Sequence, residues 1–240
     1  MLRIKLDRSL AITILILLLF TVMGTHLWNI TRFALNIPIG DEWESLTSPD
    51  LLGSFNPQWM FAQHNEHRIV LTKIQTWLIY NWNHWDIRTQ IFQNFIIYLG
   101  VVAALLWVLK KCNVQSVPAL LIGALFLFST RASENHSWGF QSQFHFVLLF
   151  CFCSCAALID DKLSWPRLLA GALFSVLAIY SFSSGVPMVV AIGLVFSIFI
   201  FYGRLQLQRP KNELIKLLTY WVIVGVSLAV YFSFDYHKIN

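Results

Sequence analysis

The sequence predicts an all-α polytopic membrane protein with about seven transmembrane helices. Three observations carry this reading. Hydrophobic residues make up 57% of the 240 and charged residues only 12%, against roughly 25% charged in ordinary soluble domains. Mean hydropathy is +0.63, and a soluble chain this apolar could not cover its surface. The apolar runs are long and continuous rather than alternating, which favours helices over a barrel.

A helix needs about 20 apolar residues to cross the hydrocarbon core. Such runs fall at Leu10–Ile30, Ile91–Leu109, Val117–Ser129, Phe144–Ile159, Leu168–Ser183, Val186–Tyr202 and Leu217–Phe234, the third and fourth being short. The first run exceeds the roughly 7–15 apolar residues of a signal peptide and leads into His26, Trp28 and Asn29, so it reads as an uncleaved anchor. The chain is then one transmembrane domain over 1–240, with a large loop at 31–90 and the remaining spans over 91–234.

Within that loop, Arg68–Trp82 is apolar but carries Arg68, Lys73, Gln75 and Asn81. Val70, Leu71, Ile74, Trp77, Leu78 and Trp82 share one helical face, with Thr72, Lys73, Gln75 and Thr76 largely opposite. That pattern predicts an amphipathic helix lying in the membrane interface rather than crossing it. Basic residues support the choice. With a cytoplasmic N-terminus and no crossing at 68–82, only Arg32, Arg68, Lys73, Arg88, Arg131 and Lys238 of the 17 Lys and Arg lie outside. The rest lie inside, as the positive-inside rule requires. A crossing at 68–82 would flip every later loop.

The net charge of +5 therefore reports topology, not nucleic-acid binding. Cys112, Cys151, Cys153 and Cys155 fit no zinc spacing and imply no disulfide framework. No P-loop, G-x-G-x-x-G or G-x-S-x-G motif is present.

In this topology three polar clusters collect on the outer face. The first is Asp41-Glu42, just past the first span and after the turn-forming "NIPIG". A carboxylate there can sit in a partly dehydrated cleft, which suits a general base, although most loop carboxylates are simply solvated. The second is His64, Asn65, Glu66, His67 and Arg68. On a helix His64 and His67, three apart, would share a face. Arg68 with a histidine suits a phosphate, and a helix start with Arg68 reaching to headgroups explains the cluster equally well. Metal ligation with Glu66 or Asp41 ranks below both, because the spacing matches no metal motif. The third cluster holds Arg131, Glu134, Asn135, His136, Trp138, Gln141, Gln143 and His145. Ionisable groups at membrane depth are costly and point to function. Amides and acids bond sugar hydroxyls and Trp138 can stack on a pyranose face, whereas a polar loop with an interfacial Trp is the plainer account.

With these residues assembled, the chain resembles the GT-C superfamily of integral-membrane glycosyltransferases. Its members carry an acidic motif in a large outer loop after the first span, interfacial helices in that loop, and a core of several spans. "DEW", "QHNEHRI" and "ENHSWGFQSQF", in that order, are also similar to bacterial glycosyltransferase-like membrane proteins. The resemblance implies a sugar donor on a polyprenyl phosphate, a glycan or lipid acceptor, and an active face outside a bacterial inner membrane. It implies Asp41 as catalytic base with Glu42 as its partner. Arg68 and Arg131 would steady the leaving phosphate, with His64 or His67 assisting, and Glu66, Glu134, Asn135, His136, Trp138 and Gln141 would line the substrate site. Some members use a divalent metal and others do not, so no cofactor is assigned. Members are commonly longer, and the resemblance leaves open a truncated protein, a fragment or a minimal module. Two other classes fit the composition: a transporter or flippase of a lipid-linked glycan, which needs polar residues deep in several spans, and a non-catalytic membrane partner subunit.

The topology is testable alone. Cysteines introduced at Ser45 and Ser133 should label from outside, and one at Ser116 from the cytoplasm. Labelling of positions 45 and 116 from the same side would overturn the arrangement.

Overall fold

The computed structural model describes residues 8–114, 133–160, 163–207 and 212–233. The predicted span at 117–129 lies outside them, as does Arg131. All regular structure among the described residues is helical. Five helices are long and apolar enough to cross a membrane: Ser9–Phe33, Ile87–Lys111, Gly139–Leu158, Gly185–Tyr202 and Asn212–Ser233. The chain is thus a helical membrane protein.

The seven expected spans are therefore not all present as such among the described residues. The run predicted at Leu168–Ser183 forms a shorter helix, Trp165–Ile179, of 15 residues. At 1.5 Å per residue it is about 22 Å long, short of the roughly 30 Å core. Pro166 is compatible with its first turn, where no backbone N–H is needed.

In chain order the elements are α1 (Arg8–Phe33), three short loop helices α2 (Glu42–Thr47), α3 (Pro49–Leu52) and α4 (Pro57–Phe61), then α5 (Val70–Asn83) and α6 (Ile87–Lys111). After the undescribed stretch come α7 (Ser133–Ser137), a 3-10 turn at Gly139–Gln141, α8 (Ser142–Leu158), α9 (Trp165–Ile179), α10 (Gly185–Leu207) and α11 (Asn212–Ser233). Helices α8, α9, α10 and α11 share one cluster of buried apolar side chains. Linking α8, α9 and α11, Ser154 donates to the Gly171 carbonyl at 2.9 Å and lies 2.9 Å from Ser175 Oγ, and Ser175 lies 3.0 Å from the Tyr220 hydroxyl. All three side chains are fully buried, so each hydroxyl finds its partner on a neighbouring helix, as burial among apolar side chains demands.

The amphipathic helix forms as α5, and its polar side faces inward. Thr72, Lys73, Gln75 and Thr76 are buried, whereas Leu78 and Trp82 are 54% and 74% exposed. A water-soluble protein shows the reverse. Each of these four side chains makes at least one hydrogen bond, although the Gln75 amide oxygen is buried without a partner. Thr72 Oγ1 lies 2.8 Å from Ser142 Oγ. Gln75 donates to Gln93 and Asn94 of α6, both at 3.1 Å. Thr76 accepts from Gln90 at 3.0 Å. Lys73 Nζ donates to the carbonyls of Trp59 and Ala62 at 2.9 and 2.7 Å. Those carbonyls end α4, where helical C=O groups lack intrahelical partners. Burial, with Arg68 nearby, brings the Lys73 ammonium down to about 8. At 14 residues, α5 is about 21 Å long, too short to cross. Successive left-handed residues His84 and Trp85 (φ 56° and 59°) then turn the chain into α6.

Gly185 opens α10 against the end of α9, and a Cβ there would overlap the Ala178 carbonyl oxygen. Backbone cannot yield as a flexible side chain can. Gly185→Ala should therefore cost at least about 3 kcal/mol, the upper end of overpacking penalties. Gly24→Ala, with no neighbour within 4 Å, should leave stability unchanged or slightly raised. Thermal unfolding in detergent, followed by thiol labelling of buried Cys151, reads both.

Candidate functional site

The first and third polar clusters meet through Glu42. The chain leaves α1, turns at Gly40 with φ +55°, and enters α2 at Glu42. The Glu42 side chain folds back so that Oε2 accepts the Ile39 N–H at 2.9 Å, while Oε1 accepts the Phe140 N–H at 3.0 Å. Only 1% of the residue is exposed. Burial raises its pKa above the usual carboxylate range, against the pull of the Ile39 and Phe140 N–H groups. Glu42 therefore joins two loops 98 residues apart in the chain.

Small residues permit this approach. A Cβ at Gly40 would lie 3.0 Å from the Trp138 ring, and one at Gly139 would lie 3.0 Å from Glu42 Oε1. Behind them, Asn94 of α6, fully buried, donates to the carbonyls of Trp138 and Gly139 at 3.3 and 2.8 Å. Trp85 donates from its indole to Gln90 at 3.2 Å. Gln90 and Asn94 are site-shaping residues that the sequence reading passed over. Asn94 carried a signal: an amide inside an otherwise apolar span is expensive and seldom idle, whereas Gln90 lies just before the predicted span.

Asp41 has the opposite environment to its neighbour. Its side chain is 43% exposed, and Oδ2 lies 3.5 Å from His64 Nε2. The other ring nitrogen of His64 lies 3.5 Å from Glu44 Oε2, and the His64 side chain is only 13% exposed. The imidazole thus stands between two carboxylates, its ring centre 5.1 Å from that of Phe140. The second cluster joins the first in this way.

His64 and His67 do not share a helical face. They pair across a tight turn, each accepting the other's backbone N–H, at 2.8 and 2.9 Å. Asn65 takes the left-handed conformation, φ 50°, which asparagine tolerates better than most residues. The sequence offered a helix start, but the helix begins only at Val70. His67 packs on Phe182 at 4.2 Å between ring centres, and burial lowers its pKa. Asn65 and Glu66 are exposed.

Arg68 is 1% exposed. Its Nε donates to the Tyr231 carbonyl at 2.9 Å, a terminal nitrogen donates to the Phe61 carbonyl, and the guanidinium lies 5.4 Å from the Tyr231 ring centre. It therefore ties the loop after α1 to the end of α11. A cavity of about 250 Å³ lies beside it, lined by Pro57, Gln58, Phe61, Tyr180 and Val230.

In the third cluster, Arg131 and the side chain of Glu134 lie outside the described residues. Asn135, Trp138 and Gln141 are half-buried. His136 is buried and its Nδ1 lies 3.1 Å from His145 Nε2. The Trp138 indole nitrogen and the Gln141 and Gln143 amide oxygens are buried without a hydrogen-bond partner. Among the described residues no group of three or more His, Cys, Asp or Glu side chains is placed to hold a metal ion.

No protein-family model, curated protein or solved structure matches the chain. The residues themselves therefore carry the functional argument.

Glu42→Ala should strand the Ile39 and Phe140 N–H groups in the interior. At roughly 1–3 kcal/mol for each unpaired donor, the loss should be about 2–6 kcal/mol by detergent unfolding. Glu42→Gln keeps one acceptor and should lose less than half of that. Equal stability for Glu42→Ala and wild type would show that the junction is not held by this carboxylate.

Proposed function

We propose that the chain is a membrane glycosyltransferase of the GT-C type, moving a sugar from a polyprenyl phosphate to an extracytoplasmic glycan or lipid acceptor. The observation that supports it most is the convergence of three short motifs, separated along the chain, on one place. Asp41 lies beside His64, His64 beside Phe140, and Glu42 bonds the Phe140 N–H. Trp138 lies over Gly40.

The two acidic neighbours take different parts. Glu42 has both oxygens committed to backbone N–H groups and holds the loops in register. Asp41, partly exposed and beside an imidazole, is the base. Its carboxylate takes the proton of an acceptor hydroxyl as that oxygen bonds to the anomeric carbon. The carbon–oxygen bond to the lipid phosphate breaks on the opposite face, and its electron pair leaves with the phosphate. The sugar is transferred with inversion. Arg131 and Arg68 are the candidate cations for the departing phosphate, although Arg68 already serves two carbonyls. Trp138, Asn135 and Gln141 suit the sugar: a flat apolar ring flanked by amides. The outward apolar side of α5 suits the interface beside the lipid donor.

Membranes carrying wild type or Asp41→Asn, supplied with polyprenyl-phosphate sugars, test the reading. A general base contributes about 10²–10⁴-fold in rate, so transfer should fall by that factor at equal protein level. Transfer unchanged by the substitution would remove Asp41 from the mechanism. Absence of transfer by wild type with every donor would overturn the transferase reading.

A further inference from the structure

Beside the junction just described lies a cluster of rings to which no step above assigns a part. His26 of α1, Tyr98 of α6, His136 of α7 and His145 of α8 are each no more than 6% exposed. The His136 ring centre lies 4.9 Å from that of His26, 4.4 Å from Tyr98 and 5.1 Å from His145. Three imidazoles packed together are unusual in a protein interior, because histidine charges near neutral pH and like charges repel.

The hydrogen bonds fix where the protons are. His145 Nδ1 lies 3.2 Å from the Gln141 carbonyl oxygen. A carbonyl only accepts, so Nδ1 of His145 carries a hydrogen, and in the neutral ring its Nε2 is an acceptor. That Nε2 lies 3.1 Å from His136 Nδ1, so Nδ1 of His136 must donate. The remaining nitrogen, His136 Nε2, is then a lone pair. It is buried and has no hydrogen-bond partner. A buried acceptor left unpaired is a cost that native structures seldom carry without a use. It has almost no accessible surface, so no ligand atom can reach it in this conformation. A proton needs no such room.

We infer that the His26, His136 and His145 cluster is a proton-binding site that latches α1 to the rest of the bundle. A proton taken at His136 Nε2 lets the Nδ1 hydrogen of His136 pass to His145 Nε2. The charge then rests on the His145 imidazolium, whose Nδ1–H already points at the Gln141 carbonyl. His136 ends neutral with its hydrogen on Nε2, and one proton has entered. Among the described residues the titratable groups facing His136 are His26, Tyr98 and His145. Neither a neighbouring imidazole nor a phenol offsets a positive charge.

The latch follows from the packing of α1. Among its described residues only His26 and Ile30 are buried, with Leu19, Val22 and Met23 partly buried against the Tyr98, Val101 and Val102 cluster, so the His26–His136 contact is one of the few anchors of its outer half. Charge placed beside it draws water into the junction and frees the outer end of α1. The sign agrees. Burial, with His145 and His26 beside it, lowers the His136 pKa from 6.5 to about 3. The neutral cluster thus stabilises the closed form fully above about pH 6.5, and this stabilisation is lost progressively as pH falls below it. The inference does not depend on the transferase reading.

Two measurements on the full chain in detergent decide it. Hydrogen exchange at the histidine ring carbons, read by mass spectrometry on peptides that contain His136, gives the titration of His136 without any substitution. His136 should titrate well below its value in the same peptide of SDS-unfolded protein. Titration at the unfolded value would overturn the site. Spin labels at the exposed positions Leu27 and Phe92 should report a single short distance at pH 7.5. A longer distance should grow in as pH falls from 6.5 to 4, by up to about tenfold in population per pH unit for one proton. In His136→Gln, which cannot charge, that growth should be absent or much shallower. The same pH response in both proteins, or none in wild type, would overturn the latch.

Discussion

A carboxylate buried in a membrane protein must find hydrogen-bond donors, and those that Glu42 finds are the backbone N–H groups of Ile39 and Phe140. Much of the junction between the loop after α1 and the turn after α7 follows from that demand. The loop after α1 must curl tightly enough to present Ile39 to its own Glu42, which places Gly40 in the left-handed region. The turn after α7 must come close enough to present Phe140, which leaves a side chain at Gly139 tight against Glu42 and Gln90. Trp138 is thereby laid over Gly40. Asn94 holds the carbonyls of the same turn from α6. Helix, loop and turn are thus brought into one junction by a few polar bonds rather than by a continuous apolar core.

The same physics explains why α5 is turned polar side in. Lipid satisfies apolar side chains as well as a protein core does, so burying leucine gains little, whereas an exposed amide in hydrocarbon is costly. The helix therefore gives its Thr, Gln and Lys residues to α4, α6 and α8 and leaves Leu78 and Trp82 outside. Lys73 and Arg68 close the α4 carbonyls from the neighbouring segment, which lets a five-residue helix persist in the loop. The Ser154, Ser175 and Tyr220 chain does the corresponding work between α8, α9 and α11.

Asp41 and Glu42 show how far environment separates adjacent residues of nearly the same chemistry. One sits at a half-exposed edge beside an imidazole, with its carboxylate accessible. The other is sealed, with both oxygens bonded. A residue can hold a site rigid or exchange protons with a substrate, and the demands on burial are opposed.

Sequence alone determined the membrane class, the helical architecture, most spans and the amphipathicity of the 68–82 segment. These follow from composition and period, which need no knowledge of neighbours. The clusters around Asp41, His64 and Trp138 were legible as unusual because polar groups are costly beside apolar spans. Only the tertiary structure decided which of them touch. It placed Glu42 inside and Asp41 at the edge, though a dipeptide carries nothing to distinguish them. It made His64 to His67 a turn, because cross-turn bonds and a left-handed Asn65 override local helical spacing. It shortened the predicted 168–183 span to a 15-residue helix, since where a helix stops depends on what its end packs against. It also drew His26 and His145, each hidden within an apolar run, to either side of His136. Contacts between residues far apart in the chain leave no period in the sequence, and those contacts make the junction.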